Sequence, residues 1–457
     1  MGSRQTGLDH LRMPVTAARS RKRPLPEPVV TEVRSLAHDG RGVAQVDGKT
    51  LFIDGALPGE QVLVEYRARS RRYDEGRVVE IVRASVDRVV PGCEYFERCG
   101  GCSLQHLSSQ GQVAHKQQTL LDNLDRIGHV IPDQVLAPIT GPAWGYRRKA
   151  RLGVRFVRKK NALLVGFREK RNSFITEIER CPVLDPRIGE RIVELRELVA
   201  SLKAYDQVAQ LEVAVADNAA AIVVRHLVAL DAADTAKLVE FGKQHQFHIY
   251  LQSGGVDTIK PLWPEDSSLV YRLEEYGLAM RFEPSDFTQV NADINHRMIA
   301  RAVELLAPGA HEHVLDLFCG IGNFSLPLAR TTGRVTGVEG DARLVQKARD
   351  NARENEITNA GFLTENLAVD GVMKRFQGLS PDKVLLDPPR SGAWEVVSGM
   401  SAISPSRIVY VSCDTATLAR DAGELVANQG YRLISAGVMD MFPHTSHVES
   451  MALFERR

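Results

Sequence analysis

At 457 residues the chain is too long for one ordinary domain and points to roughly two to four. Its composition, 44% hydrophobic and 25% charged, is that of a globular protein, and no apolar run approaches the ~18 residues that a membrane-spanning helix needs. The net charge of +1 conceals a segregation: Arg4, Arg12, Arg19, Arg21, Lys22 and Arg23 stand before Pro26 against Asp9, and Arg147 to Arg171 is basic except for Glu169. Such clustering points to a polyanion partner. The N-terminus lacks an apolar signal core, and six unevenly spaced cysteines without an export signal imply a reducing, cytoplasmic setting with thiol or metal chemistry instead of disulfides.

Residues 1–26, basic and ending in Pro24 and Pro26, read as a disordered arm. Over 27–88 short alternating runs are broken by Asp39-Gly40, Asp47-Gly48, Asp54-Gly55 and Pro58-Gly59, which predicts five short strands in an OB-like closed β-barrel. Arg67, Arg69 and Arg71 recur at period two, so they are expected on one strand face, a row suited to phosphates. Gly40 to Ala44 followed by Leu51 to Glu60 resembles the TRAM domain, an RNA-binding barrel.

A central α+β domain is expected over 89–285. It opens on Cys93, Cys99 and Cys102, with Gly100-Gly101 between the last two, and Cys181-Pro182 offers a fourth thiolate. Four thiolates suit a tetrahedral zinc or an iron–sulfur cluster, and the Cys-Pro step favours the cluster. From Ser108 to Gly128 an amphipathic helix is predicted, with Val113, Leu120, Leu121 and Leu124 on its apolar stripe; it is a candidate to pack on the last domain. Alternation returns in Arg151–Val157, Leu163–Phe167 and Ile175–Ile178, then in a hairpin of Leu211–Ala216 and Ala221–His226 turning near Asp217-Asn218.

After Phe282 strands and helices alternate, giving a last α/β domain over 286–457. His313 to Phe318 is a strand running into Cys319-Gly320-Ile321-Gly322-Asn323-Phe324, where glycines let the backbone approach a ligand. The next strand ends on Glu339, placed to hold a ribose. A third glycine for pyrophosphate is missing, because Phe324-Ser325 follow Asn323, and this favours S-adenosylmethionine over a dinucleotide. Asn366 and Asp387 stand at two further strand ends. Arg390 takes the place of the stacking aromatic that amine methyltransferases carry after Asp-Pro-Pro, so amine methylation is disfavoured. The buried strand Val409 to Ser412 ends on Cys413, a candidate nucleophile facing the ligand edge of the sheet, whereas Cys319 reads as a packed core residue.

Asp286-Phe287-Thr288-Gln289-Val290-Asn291, Leu315 to Phe324, Asp387-Pro388-Pro389-Arg390, Ser412-Cys413-Asp414 and His447-Val448-Glu449, taken together, resemble the RNA uracil-C5 methyltransferases, and within them the branch acting on uracil 1939 of 23S ribosomal RNA. The likeness runs from about residue 29 to the C-terminus. It implies a Rossmann-like S-adenosylmethionine-dependent methyltransferase domain and a [4Fe-4S] cluster on Cys93, Cys99, Cys102 and Cys181. Gln289, Phe318, Asn323, Glu339, Asn366 and Asp387 would line the S-adenosylmethionine and uracil pocket, with Cys413 as nucleophile and Glu449 as general base. Sister enzymes acting on another rRNA uridine or on the tRNA T-loop share these motifs. No obligate protein partner is evident. A non-catalytic RNA-binding scaffold and a radical methylase are the rivals; the intact Cys413, Glu449 and Asp387 count against the first, and four thiolates closing a cluster count against the second.

Overall fold

The computed structural model describes residues 24–457, so the arm expected over 1–26 lies outside the described residues apart from Pro24, Leu25 and Pro26. Two compact units emerge, one formed by residues 41–85 with the segment up to Ala37, the other by Val86–Arg457 with His38–Gly40. Among the described residues no helix is long and apolar enough to cross a membrane.

The first unit holds β1 (Val29–Glu32), β2 (Ser35–Leu36), β3 (Gly42–Val46), β4 (Lys49–Asp54), β5 (Gln61–Arg69) and β6 (Tyr73–Arg83) in the order β1-β5-β6-β4-β3-β2. Between β1 and β2 the Val33 N–H bonds Glu60 O at 2.9 Å and the Arg34 N–H bonds Val43 O at 2.8 Å, so the segment Val29–Leu36 pairs with β5 at its start and with β3 at its end. Alternate residues Val62, Val64 and Tyr66 of β5 join Val33, Ala44, Leu51 and Ile53 in its core. The expected arginine row is shorter than three. Arg67 and Arg69 are exposed on β5, but Ser70 Oγ caps a turn to Tyr73, and Arg71 lies in that turn beyond the strand.

In the second unit α1 (Ser109–Arg126) and β7 (Gln134–Val135) precede β8 (Lys149–Val157), β9 (Ala162–Gly166), α2 (Pro186–Gly189), α3 (Ile192–Ser201), β10 (Val208–Val215), β11 (Ala220–His226), α4 (Ala232–His245), β12 (Phe247–Gln252) and β13 (Lys260–Trp263). A six-stranded sheet in the order β13-β12-β11-β10-β8-β9 is antiparallel except at β11/β12, which α4 joins as a parallel crossover. The run Ile175–Ile178 is not a strand; it touches the chain leaving β9 through a single bridge, Arg168 to Ile175, and lends Ile178 to the core as part of a loop. The hairpin of β14 (Leu269–Leu273) and β15 (Leu278–Phe282) stands apart as a two-stranded sheet.

The last part comprises α5 (Ala292–Leu306), β16 (His313–Leu317), α6 (Ser325–Ala329), β17 (Arg334–Glu339), α7 (Ala342–Glu354), β18 (Ala360–Thr364), β19 (Lys383–Leu386), α8 (Trp394–Val397), β20 (Arg407–Ser412), α9 (Thr415–Ala427), β21 (Tyr431–Met439) and β22 (Glu449–Arg456). Its sheet runs β18-β17-β16-β19-β20-β22-β21-β7. The strands from β18 to β20 are parallel, and only β22 runs against its neighbours. Of the parallel strands, β16, β19 and β20 are almost wholly buried because helices cover both faces. The order reverses between β16 and β19, which opens a crevice at their carboxyl ends, and the reversed β22 begins at the edge where the parallel strands finish.

Two elements from earlier in the chain complete this body. The β14–β15 hairpin is pinned to α7, with Ala279 N–H on Asn355 Oδ1 at 2.7 Å and Arg281 N–H on Asn351 Oδ1 at 2.9 Å; its Leu273, Leu278 and Met280 share a core with Ile299, Val314 and Val335. Helix α1, N-capped by Ser108, packs on α9 and β21. Its fully buried line is Gln112, Lys116, Leu120 and Leu124, whereas Val113 and Leu121 of the expected stripe are half-buried. Two polar residues can occupy the innermost positions because each finds buried partners there.

Candidate active site

The crevice has two corners. At the first, β16 ends and Phe318 turns into the left-handed region at φ +66°, a conformation rare for a bulky residue, held by Phe318 and Cys319 N–H bonds to Val338 O at 2.9 and 3.1 Å. Gly320 follows at φ +55°, where an added Cβ would meet nothing within 4 Å, so the loop fronts open space. The Glu339 carboxylate at the end of β17 accepts the Gly320 N–H at 3.2 Å and the Asp341 N–H at 3.0 Å, which fixes an acid beside the glycine loop. Glu365 N–H bonds Glu339 O at 3.0 Å and sets the exposed Asn366 on the adjoining strand end. Beyond the loop, Asn323 Oδ1 accepts the Tyr271 hydroxyl at 2.9 Å and its Nδ2 donates to Asn295 at 2.9 Å. Gln289 lines a cleft with Tyr271, Asn295, Thr288, His296 and Arg148. Cys319 is buried in the core.

At the second corner strand register does the assembling. Ser412 and Ser450 are the last pair between β20 and the reversed β22, so Cys413 and Glu449 are the next residues along the two strands. On the other side Leu386 pairs with Tyr410, and Asp387 follows it. Asp414, next to Cys413, caps α9 by accepting the Ala416 and Thr417 N–H groups at 3.0 and 3.1 Å. Burial pushes the Cys413 thiol up to about 11; Glu449 and Asp387 push the same way and Arg390 opposes them. Glu449, 6% exposed, is raised to about 8 by burial and then by Asp387, against Arg390 and Lys116. Burial raises Asp387 to about 7. Three acidic groups thus crowd one dry corner, and near pH 7 the thiol and the Glu449 carboxyl hold their protons.

The four remaining cysteines, all free, stand close enough to feel one another's charge. Burial raises Cys99 to about 11 and Cys102 to about 12, with the other thiols adding to each, while the Gly101 N–H reaches Cys99 Sγ at 3.4 Å. Among the described residues no group of three or more His, Cys, Asp or Glu side chains is placed to hold a metal ion. The donor set, four mutually repelling thiols that would ionise together on a cationic centre, fits a metal cluster chemically.

Lys116, which acts on Glu449, and its partner Asp440 escaped the sequence reading. The one legible signal was a lysine spaced i, i+4 and i+8 from Leu120 and Leu124 on a helix stripe that must be buried. Asp440 carried none, because its role depends on a helix more than three hundred residues earlier in the chain.

A family model described as tRNA (uracil-5-)-methyltransferase matches residues 142–457. The 23S rRNA (uracil(1939)-C(5))-methyltransferase RlmD of Stenotrophomonas maltophilia is 51% identical over 443 residues, spanning 96% of this chain and 100% of that protein. The protein of the same name from Nitrosococcus oceani is 52% identical over 436 residues, 94% of this chain and 96% of its own. Among solved structures, the Pyrococcus abyssi tRNA (uracil-54, C5)-methyltransferase in complex with S-adenosyl-L-homocysteine covers 93% of this chain and 100% of its own at a TM-score of 0.71 and 24% identity, a likeness of fold. Matched by that model over most of its length and by full-length relatives at half of its residues, the chain belongs to the RNA uracil-C5 methyltransferase family.

Proposed function

We propose that the protein methylates C5 of one uridine in 23S ribosomal RNA, the position equivalent to uracil 1939, with S-adenosylmethionine as donor. The observation that carries this reading is the meeting of Cys413 and Glu449 across the β20/β22 pair, with Asp387 at the neighbouring strand end. The relatives' shared name supplies the target.

Uracil C5 is too electron-poor to take a methyl group directly. Cys413 passes its thiol proton to the neighbouring Asp387 carboxylate and adds as thiolate to C6, and the electrons of the C5–C6 double bond move onto the C4 carbonyl as an enolate. C5 then carries the electron pair that forms the new carbon–carbon bond. Bound S-adenosylmethionine supplies the methyl group and leaves as the thioether. Glu449 next removes the C5 proton, the double bond reforms, and Cys413 departs with the pair from the C6–S bond. Glu339 would hold the donor's ribose, Asn366 its adenine end, and Gln289, Phe318, Asn323 and Asp387 the remaining walls. A uridine has to leave its stack to reach this corner.

Cys93, Cys99, Cys102 and Cys181 would hold a [4Fe-4S] cluster. It would fasten the loops around it, since the methyl transfer needs no electron. The first unit is read as an OB-like TRAM barrel that grips RNA through Arg67 and Arg69. A ribosomal RNA substrate would put the enzyme in the cytoplasm.

Mapping 5-methyluridine in ribosomal and transfer RNA from cells lacking the protein tests the assignment: loss at one 23S position alone is expected, and loss in the tRNA T-loop instead would overturn the target. Anaerobically purified protein should be brown with about four irons per chain; one firmly held zinc and no iron would refute the cluster.

A further inference from the structure

The Lys116–Asp440 pair has no part in the chemistry above, yet it lies against it. Lys116 is 0% exposed, and its ammonium donates to Asp440 Oδ1 at 2.6 Å and to Phe442 O at 2.9 Å. One turn earlier Gln112 donates to Leu104 O and Leu107 O at 3.1 and 2.8 Å, and its Oε1 accepts the His444 N–H at 2.7 Å. His444 is held there in the left-handed region at φ +66°. Gln117 Oε1 accepts the Val438 N–H at 3.3 Å, and His444 O receives the N–H groups of Ser103 and Leu104, both at 2.9 Å. One face of α1, with Ser103 and Leu104 just before it, therefore holds Asp440, Phe442 and His444 of the turn that leads out of β21 to Glu449 at the start of β22.

A buried ion pair yields little net stability, because desolvating both charges offsets most of their attraction, so stability alone does not account for one at this place. We propose that Lys116 is a positioning residue for the proton-removal step, holding the 440–447 turn and keeping a positive charge beside the Glu449 carboxylate. The inference rests on Glu449 being the base. The charged and titratable groups around Glu449 are Asp387 and Arg390 beyond β19, Cys413 beyond β20, and Lys116 on α1; His447, in the turn, is within reach of Arg390, Arg147 and Lys116. Of these, Arg390 and Lys116 favour the ionised carboxylate.

The test follows the methylated covalent complex in single turnovers of the full-length enzyme with a 23S rRNA transcript bearing the target uridine and labelled methyl donor. Its resolution to free RNA is read on denaturing gels from pH 6 to 9.5. In the wild type, resolution rises as Glu449 ionises. Lys116→Gln removes the positive charge, keeps hydrogen-bonding capacity and should move that rise up by about one pH unit, so resolution is about tenfold slower below it and recovers toward pH 9.5. Lys116→Met, which also removes the charge, should shift it likewise should the first variant not fold. Lys116→Arg should restore the wild-type profile. An unshifted rise, or slowing by one factor at every pH, overturns the proposal. Glu449→Gln runs alongside: if it resolves normally the base assignment itself fails, whereas if it stalls while the Lys116 variants keep the wild-type rise, only the role of Lys116 fails.

Discussion

The two corners of the crevice are built on different principles. At the donor corner the shape comes from neighbours in sequence: β16 runs through Phe318 into Gly320 and Gly322, and Glu339 closes on that loop from the next strand. At the catalytic corner no two of Lys116, Asp387, Cys413 and Glu449 lie on one element; strand register and the packing of α1 bring them together, and their charges then act on one another. A loop whose backbone is held by its own N–H groups tolerates loss of one side chain as weaker binding. A corner of mutually raised acids should respond by arresting the reaction at a particular step.

Removal of the ring-activating atom should have the largest effect. Cys413→Ala is expected to lose on the order of 10⁴ or more in turnover, with neither covalent complex nor methylated RNA on a denaturing gel, while both substrates still bind. Should the labelled complex still form, Cys413 is not the nucleophile. Glu449→Gln should lose about 10²- to 10⁴-fold and stop later, accumulating a covalent complex that already carries the methyl group; RNA with 5-fluorouridine should trap the wild type in the same way. Normal turnover of that variant would send the search for the base elsewhere.

At the donor corner the response should be milder. Glu339→Ala should weaken S-adenosylmethionine binding about ten- to a hundredfold by calorimetry and leave RNA affinity unchanged. An equal loss of both affinities would mean that the two corners are not separable. The smallest effect concerns stability. Burial holds the Asp387 carboxyl at about 7 in the folded protein, against ~3.9 for an unperturbed aspartate. The folded state therefore binds the proton more tightly than the unfolded chain, and the stability that this provides is present below pH ~4 and lost as pH rises toward 7. Asp387→Asn should accordingly melt a few degrees above the wild type at pH 8 and level with it near pH 4. A variant less stable than the wild type at pH 8 would show that the ionised carboxylate is compensated.

Much of this was legible in advance where local chemistry decides the outcome. Apolar runs closing on polar residues marked β16, β17, β19 and β20, and Ser108 with Gly128 bracketed α1 to within two residues. The apolar run Ile175–Ile178 misled because a loop can bury isoleucines as well as a strand can, and the arginine row misled because Ser70 ends the strand before Arg71.

By itself the sequence determined the glycine loop, the acid at the next strand end, the cysteine at the end of β20 and the family, since each is written in residues that are neighbours in the chain. Only the tertiary structure decided that β22 runs against the parallel strands. That reversal makes its first residue, Glu449, emerge at the edge where Cys413 and Asp387 end their strands, which no local pattern records. The same holds for Lys116. A lone lysine on an amphipathic helix is free to point at water, and it is buried here because Asp440, brought to α1 by the packing of that helix against β21, provides the charge that makes the burial tolerable.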